Sequence, residues 1–542
     1  MAKSSGTTTL RDRDASRFLA QATMGATASD ISSLQRTGYT TWLGAQFSLP
    51  AQSHHQAYLD SVLATGASLS DSHIAHTFWK QAVTGADTLR QRVAFALSQI
   101  FVVSLQDGTV ARYRRGVGAY LDMLGREAFG NYRSLLEAVA RHPMMGIYLS
   151  HMRNQKEDPS RNRVPDQNFA REVMQLFSIG LHELNQDGTP RLANGAPVET
   201  YTMDDIVGLS RVFTGFSWAG PDTQNGRFHG YSTPPPDPNR DVLPMQGYPQ
   251  YHSLSEKRFL GTVIPANAGN PDDNLRIALD TLAAHPNVGP FLGRQLIQRL
   301  VTSNPSAAYV GRVANAFNTG RYVFESWSIG AGVRGDMKAT IAAILLDRDA
   351  RASPSLRSST FGRVREPILR MANWMRAFNA RSTSGSFLLG TTDDPSSSLG
   401  QTVMRSPSVF NFYRPGYVPP NTGIATAGLV APEMQIVHET AVIGYSNYMR
   451  SVVQNGAGSN SPRDIQANYS AEIALADRPD ALVARLDLLL CFNTMSSTTK
   501  TLIRDAIASV PLPASNQTTA RTNRVLVGVL CALSAPDYLV QK

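Results

Sequence analysis

The chain has 542 residues, 42% hydrophobic and only 17% charged, which excludes a disordered chain or a long solvated coiled coil and leaves room for two or three ordinary domains or one large helical body with insertions. Its formal net charge is +9 at a pI of about 9.5, and the basic side is almost all arginine, 44 Arg against 7 Lys. Arginine presents a planar fork to carboxylate, sulfate or phosphate, so an anionic polymer is a candidate partner beside a plain codon bias; nucleic acid is not expected, because the arginines are scattered and no nucleic-acid motif occurs.

Helical patterning runs through most of the chain. "DASRFLAQATMG" predicts a helix capped by Asp14 and ended at Gly25. "ASDISSLQRTGYTTWLGAQFSLP" predicts two short helices divided by Gly38 and stopped by Pro50. "DTLRQRVAFALSQIFVVS" carries Val93, Leu97, Ile100 and Phe101 at helical spacing. "GAYLDMLGREAFGNYRSLLEAVARHPMMGIYL" reads as two or three helices with glycine stops, and residues 153–167 as a polar loop. "NFAREVMQLFSIGLHEL" is a helix with Val173, Leu176 and Phe177 toward the core. Asp187-Gly188 and Asn194-Gly195 are turn signals that predict a small β-hairpin at about 184–201. Thr202 and Asp205 form a capping box for "TMDDIVGLSRVFTGFSW".

Residues at about 217–266 lose the helical pattern and hold Pro234, Pro235, Pro236, Pro238, Pro244, Pro249 and Pro265, so a long irregular insertion is expected there. Helices resume near 270, and a second irregular insertion covers about 381–432. With no fixed-period repeat and no clean linker, the expected architecture is mainly α: one α-helical domain over 1–542 with two insertions and the hairpin. No run of about twenty apolar residues occurs, so no membrane span is expected. The first 18 residues lack the apolar core of a signal peptide. Cys491 and Cys531 lie in apolar helical runs, as buried thiols or a single disulfide. Without CxxC or a Cys/His cluster, a zinc ribbon and a covalently attached c-type haem are excluded.

Four segments could carry chemistry. On the 168–184 helix, Asn168, Glu172 and Gln175 share a face by their spacing, with Arg171 at its rim; Glu172 is a candidate general base or substrate hydroxyl acceptor, or half of a structural ion pair. Asp204 and Asp205 open the next helix, where capping favours carboxylates; a pairing of Asp204 with Glu172 would suit two-carboxylate hydrolysis. In "YPQYHSLSEKRFLG", His252 is a candidate for proton transfer and Lys257 for substrate binding; His229 is a weaker companion. In "MRSPSVFNFYRPGY", Arg405, Phe410, Asn411, Tyr413 and Arg414 interleave guanidinium, amide and aromatic groups as sugar-binding loops do. No two of the candidate ligands stand at the HExxH spacing, so no metal is expected, and no nucleotide loop or GxSxG elbow occurs.

Taken together, "ASRFLAQATMGATASDI", "NFAREVMQLFSIGLHELNQDGT", "YTMDDIVGLSRVFTGFSW", "YHSLSEKRFLGTVIP" and "MRSPSVFNFYRPGYVPP" resemble the bacterial family known as domain of unknown function 1800, nearly from end to end. The resemblance implies an α-helical protein, usually exported, often accompanied by an exported sulfatase-like partner. The polar positions characteristic of the family correspond to Asn168, Arg171, Glu172, Asp204, His252 and Lys257. Where many members carry histidine on the helix, this chain has Phe177, with His182 a turn and a half later, which weakens a role for an imidazole on the helix itself.

The leading expectation is a periplasmic or extracellular enzyme that acts on an acidic polysaccharide by hydrolysis or β-elimination, without a cofactor. Glu172, Arg171, Asp204 and His252 would be catalytic; Asn168, Lys257, Arg405, Phe410, Asn411, Tyr413 and Arg414 would bind substrate. In the elimination, Arg or Lys neutralises a uronate carboxylate and His252 or a tyrosine removes the α-proton. The alternatives are a non-catalytic envelope binding or assembly protein and a redox protein holding haem non-covalently.

Overall fold

Short polar residues and glycines set where the helices begin and turn. The Thr27 hydroxyl accepts the Asp30 amide while the Asp30 carboxylate accepts the Thr27 amide, opening Ala28–Ser48. At Gly38 the backbone leaves the helix (φ 75°, ψ 168°), so the run is two helical pieces, as the glycine predicts. The first helix spans Asp12–Ala22. Asp14 lies in its first turn rather than at its cap, and Thr23 closes it ahead of Gly25 by donating its hydroxyl to the Leu19 carbonyl.

A computed structural model describes residues 10–233 and 235–542; Pro234 and residues 1–9 of the N-terminal stretch lie outside the described residues. It is mainly α: 53% is helical, with 25 α-helices and six two-stranded sheets among the described residues. One connected cluster of buried apolar side chains runs from Ala15 to Tyr538. Val540 and Gln541, near the C-terminus, pair with Val364 and Arg363. Cys491 is buried and Cys531 half-buried, and both are free thiols.

The 168–184 segment departs from a plain α-helix. It is α-helical over Asn168–Glu172, then widens into a π turn over Val173–Ser178. The amides of Ile179 and Gly180 both donate to the Met174 carbonyl at 2.9 Å. A π turn spends an extra residue and rotates the chain beyond it. Val173 and Phe177 are buried as expected, but Leu176 is only half-buried and sits beside Gln175.

The hairpin is shorter than expected. Leu192–Ala193 pair with Ala196–Pro197 across Asn194 and Gly195, both at positive φ (52° and 82°), the backbone that Asn-Gly turns adopt. Single bridges join His182 to Glu199 and Leu184 to Pro190. The 217–266 stretch is not irregular throughout: Asn225–His229 is a helical turn, and Lys257–Phe259 pair with Thr262–Ile264. That small sheet lies flat on the Met203–Val212 helix, where a Cβ on Gly208 would collide with the Arg258 carbonyl. The 381–432 stretch does stay mostly without regular structure, holding Arg381–Ser382, Gly423–Thr426 and the start of the short Pro432–Ile436 helix as elements.

Candidate functional site

A cleft of about 650 Å³ opens where five segments meet: the end of the Thr88–Ser98 helix, the π turn, the turn after it, the Val288–Leu300 helix and the 409–418 loop. Each wall has a local cause. Gly180 sits at φ 73°, and a Cβ there would press on the Phe291 ring at 2.8 Å, so glycine lets the turn pass close to the helix. Asn287, buried just ahead of that helix, donates to the carbonyls of Ile179 and His182 and accepts the Leu184 amide. One amide side chain thereby fixes Leu181, His182 and Leu184 against the cleft. On the opposite side, Gln298 donates to the Pro415 carbonyl at 3.2 Å and the Tyr413 hydroxyl to Glu366 at 2.9 Å. Pinned at these two points, the loop leaves Phe410, Arg414 and Tyr417 on the cleft wall.

The lining is apolar walls with a cationic floor. Ile100, Leu176, Leu181, Phe291, Val409 and Phe410 supply the walls. Arg294, Arg299 and Arg414 supply charge, and among the described residues no Asp or Glu lines the cleft. Many arginines of this chain are ion-paired, as Arg312 is with Asp347 and Arg521 with Asp477, but among the described residues Arg294, Arg299 and Arg414 make no ion pair. Arg414 instead lies over the Phe410 ring at 4.5 Å, a cation–π arrangement that keeps the guanidinium facing outward. Desolvation by the surrounding wall lowers the Arg294 pKa. Arg299, 4% exposed, donates to the carbonyls of Gln295 and Gln99.

Directly behind Arg299 lies a buried ionic cluster. Arg363 meets Glu366 at 3.0 Å and Glu433 at 2.7 Å, with all three side chains essentially excluded from solvent. Glu366 also accepts from Gln99, Gln401 and Tyr413. Burial raises a carboxylate pKa, but for Glu366 the field of Arg363 and Arg92 outweighs it and the pKa falls. For Glu433 burial wins and the pKa rises. Arg92, also buried, is pushed down to about 9 by desolvation and by Arg363. Three guanidinium groups, Arg92, Arg299 and Arg363, thus face two carboxylates, and the excess positive charge borders the cleft floor, in a low-dielectric setting where it acts strongly.

The structure does not bring the four expected catalytic side chains to this cleft. His252 is fully buried. Its Nδ1 hydrogen-bonds to the Thr214 carbonyl at 2.8 Å and its Nε2 accepts from the Asn274 amide at 2.6 Å, so a neutral imidazole is saturated on both sides. Burial, and less strongly Lys257, lowers its pKa to about 4. Lys257 is buried too and donates to the carbonyls of Ser253 and Ser255; desolvation pushes its pKa down to about 8. Both residues brace the 252–257 strap through these bonds, and neither lines the cleft. Asp204 is exposed in the first turn of its helix, and Asp205 takes the capping role. Asn168 is exposed and Arg171 half-buried.

Glu172 does not line the cleft either, but of the four it lies nearest to it in the chain. It is 8% exposed, its Oε2 has no partner, and burial raises its pKa against the pull of Arg171. It sits one turn before Gln175 and Leu176, which do line the cleft. Of the expected binding residues, Phe410 and Arg414 line the cleft. Tyr413 and Asn411 are buried, and Arg405 is spent on Asp71 and Asp393. Sequence reasoning missed Arg294, Gln295, Gln298 and Arg299. Their signal was present: Phe291, Arg294, Gln295 and Gln298 fall on one helical face, a polar stripe in an otherwise apolar helix.

The family model described as "Protein of unknown function (DUF1800)" matches residues 17–540. The chain belongs to the DUF1800 family. No curated protein and no solved structure matches it. The match spans every segment of the cleft, from Gln99 to Val418, so the site lies within the family's shared region. Among the described residues of this DUF1800 chain, no group of three or more His, Cys, Asp or Glu side chains could hold a metal ion, and no helix is long and apolar enough to cross a membrane.

Proposed function

We propose that the protein binds an acidic polysaccharide in the arginine-floored cleft and cleaves it by β-elimination. One observation carries the reading: three arginines, none of them ion-paired among the described residues, line an apolar-walled cleft that has no carboxylate among its described lining residues. An anionic ligand is what such a surplus attracts, and the Phe410 and Tyr417 rings offer faces for sugar stacking. Among the described residues, no pair of carboxylates lines this cleft for two-carboxylate hydrolysis.

Elimination needs a cation to neutralise the uronate carboxylate and a base for the α-proton. Arg294, Arg299 and Arg414 fill the first role. Tyr417 on the cleft wall fills the second, and His182, which also lines the cleft, is the other titratable candidate. The base removes the proton next to the carboxylate, the released electron pair forms the carbon–carbon double bond, the glycosidic carbon–oxygen bond breaks, and the leaving oxygen takes a proton. An envelope or extracellular setting and an exported sulfatase-like partner belong to the same proposal; cell fractionation and co-purification test them.

Incubation with polygalacturonate, alginate and hyaluronan, followed by the ultraviolet absorbance of the unsaturated product, tests the reaction. Tyr417→Phe is expected to abolish turnover while binding persists. Failure of all three polymers to bind overturns the reading. Binding without a new double bond favours a second reading, a non-catalytic envelope binding protein, which the dispersal of His252, Asp204 and Lys257 away from the cleft supports.

A further inference from the structure

A second cavity, of about 700 Å³, lies between the Asp71–Thr84 helix, the 388–398 loop and the Glu439–Asn455 helix. It shares no lining residue with the arginine-floored cleft, and its chemistry is different. Among the described residues it is lined by no Asp or Glu and by one cation, Arg463. That guanidinium is already committed, donating to the Gly456 carbonyl and the Ser451 hydroxyl, each at 3.0 Å. The nearest buried carboxylate, Asp464, is occupied by the Ser382 hydroxyl and the amides of Ser384 and Leu388.

What remains free is a set of neutral groups that each both donate and accept. Ser398 is only 9% exposed, and its hydroxyl has no hydrogen-bond partner among the described residues. The same holds for the hydroxyls of Ser72 and Tyr448, the latter pushed up to about 12 by burial. The His76 Nδ1 pairs with the Tyr58 hydroxyl at 3.4 Å, which leaves Nε2 for a ligand. Burial and the neighbouring His73 lower its pKa to about 4, so the ring is neutral near pH 7. Ser398 is buried and Ser72, His76 and Tyr448 are half-buried along the cavity wall, so their free hydroxyls and ring nitrogen face the cavity, where a ligand hydroxyl can take the place of water. Leu388 and Leu389 add an apolar side.

The geometry points to a second binding site, for a neutral saccharide unit, at Ser72, His76, Ser398 and Tyr448. Sugar hydroxyls match groups that donate and accept at once, and sugar C–H faces match the leucine side. A charged ligand would meet no free counter-charge. This site stands whether or not the first cleft binds acidic polymer.

Calorimetric titration of the full chain with the neutral hexasaccharides of glucose, mannose and N-acetylglucosamine tests it. Saturable binding to at least one is expected, with movement of the His76 ring resonances on addition of that sugar. Tyr448→Phe and Ser398→Ala each remove one hydroxyl without opening the core and are expected to weaken binding about fivefold, the worth of one net hydrogen bond, while the melting temperature holds. No saturation with any of the three sugars overturns the assignment. So does binding that both variants leave intact, and so does binding that Arg414→Ala abolishes, which would locate the sugar in the other cleft.

Discussion

Arg363 and Arg414 stand on either side of the Tyr413 hydroxyl's hydrogen bond to Glu366, and they live opposite lives. Arg363 is wholly buried and meets two carboxylates; Arg414 faces a cleft, lies over Phe410 and has no acidic partner among the described residues. A saturated charge holds architecture together, and an unsaturated one waits for a ligand. The largest effect should come from breaking the saturated side. Glu366→Ala leaves Arg363 half-paired in the interior and withdraws the acceptor from Gln99, Gln401 and Tyr413. Losing one partner of a buried pair costs about 3–5 kcal/mol, so denaturant melts should show a loss of that size. A loss under about 1 kcal/mol would mean the cluster is not structural.

His252 extends the same contrast, as a residue expected to be catalytic that proves saturated. Its folded pKa, about 4 against an ordinary 6.5, is depressed by burial, so the unfolded chain takes up the proton first. The stability it contributes is therefore complete above about pH 6.5 and is lost as the pH falls toward 4. At roughly 1.4 kcal/mol per pH unit of difference, the loss approaches about 3 kcal/mol. His55, His142 and His151, also buried with lowered values, steepen the same limb. In melts across that range, His252→Gln should reduce the slope by about one proton. An unchanged slope would show the imidazole to be solvated and available for chemistry after all.

Some of this was legible in the residues and some was not, for physical reasons. Gly38, the Thr27 and Thr202 boxes and the Asn194-Gly195 turn act through neighbours in the chain, so local chemistry reveals them. The loop composition singled out Phe410 and Arg414, and both line the cleft. The opposite fate of Tyr413, between them, depends on Glu366, 47 residues away, and no local pattern records it. The π turn that swings Leu176 out beside Gln175 depends on the packing around Met174 and Gly180, which periodicity does not resolve. His252 and Lys257 misled for a related reason: titratable side chains look alike in sequence whether they serve substrate or brace a strap. The cleft draws on five segments, and a helical face seen in sequence does not say which other face it meets.

On the unsaturated side, effects should appear in binding and not in stability. Arg294→Ala and Arg414→Ala remove charges that hold nothing else, so melting should stay within about 0.5 kcal/mol of the parent. Affinity for a uronate polymer should fall by about tenfold for each, and the salt dependence of binding should flatten as each charge is lost. Equal losses of stability and affinity would place these arginines in the architecture and erase the distinction.

The finest probe is Phe410→Ala. The ring neither fills the core nor accepts a hydrogen bond; it orients the Arg414 guanidinium 4.5 Å away and offers a face to a sugar. A cation–π contact at a partly exposed position is worth about 0.5–1 kcal/mol, so affinity should drop about threefold, without the change in salt dependence that removal of Arg414 itself brings. In the double variant the two losses should sum to less than their separate effects, because the ring acts partly through the arginine. Full additivity would mean that Phe410 meets the ligand alone, and that the outward pose of Arg414 is set by the loop backbone between Tyr413 and Pro415.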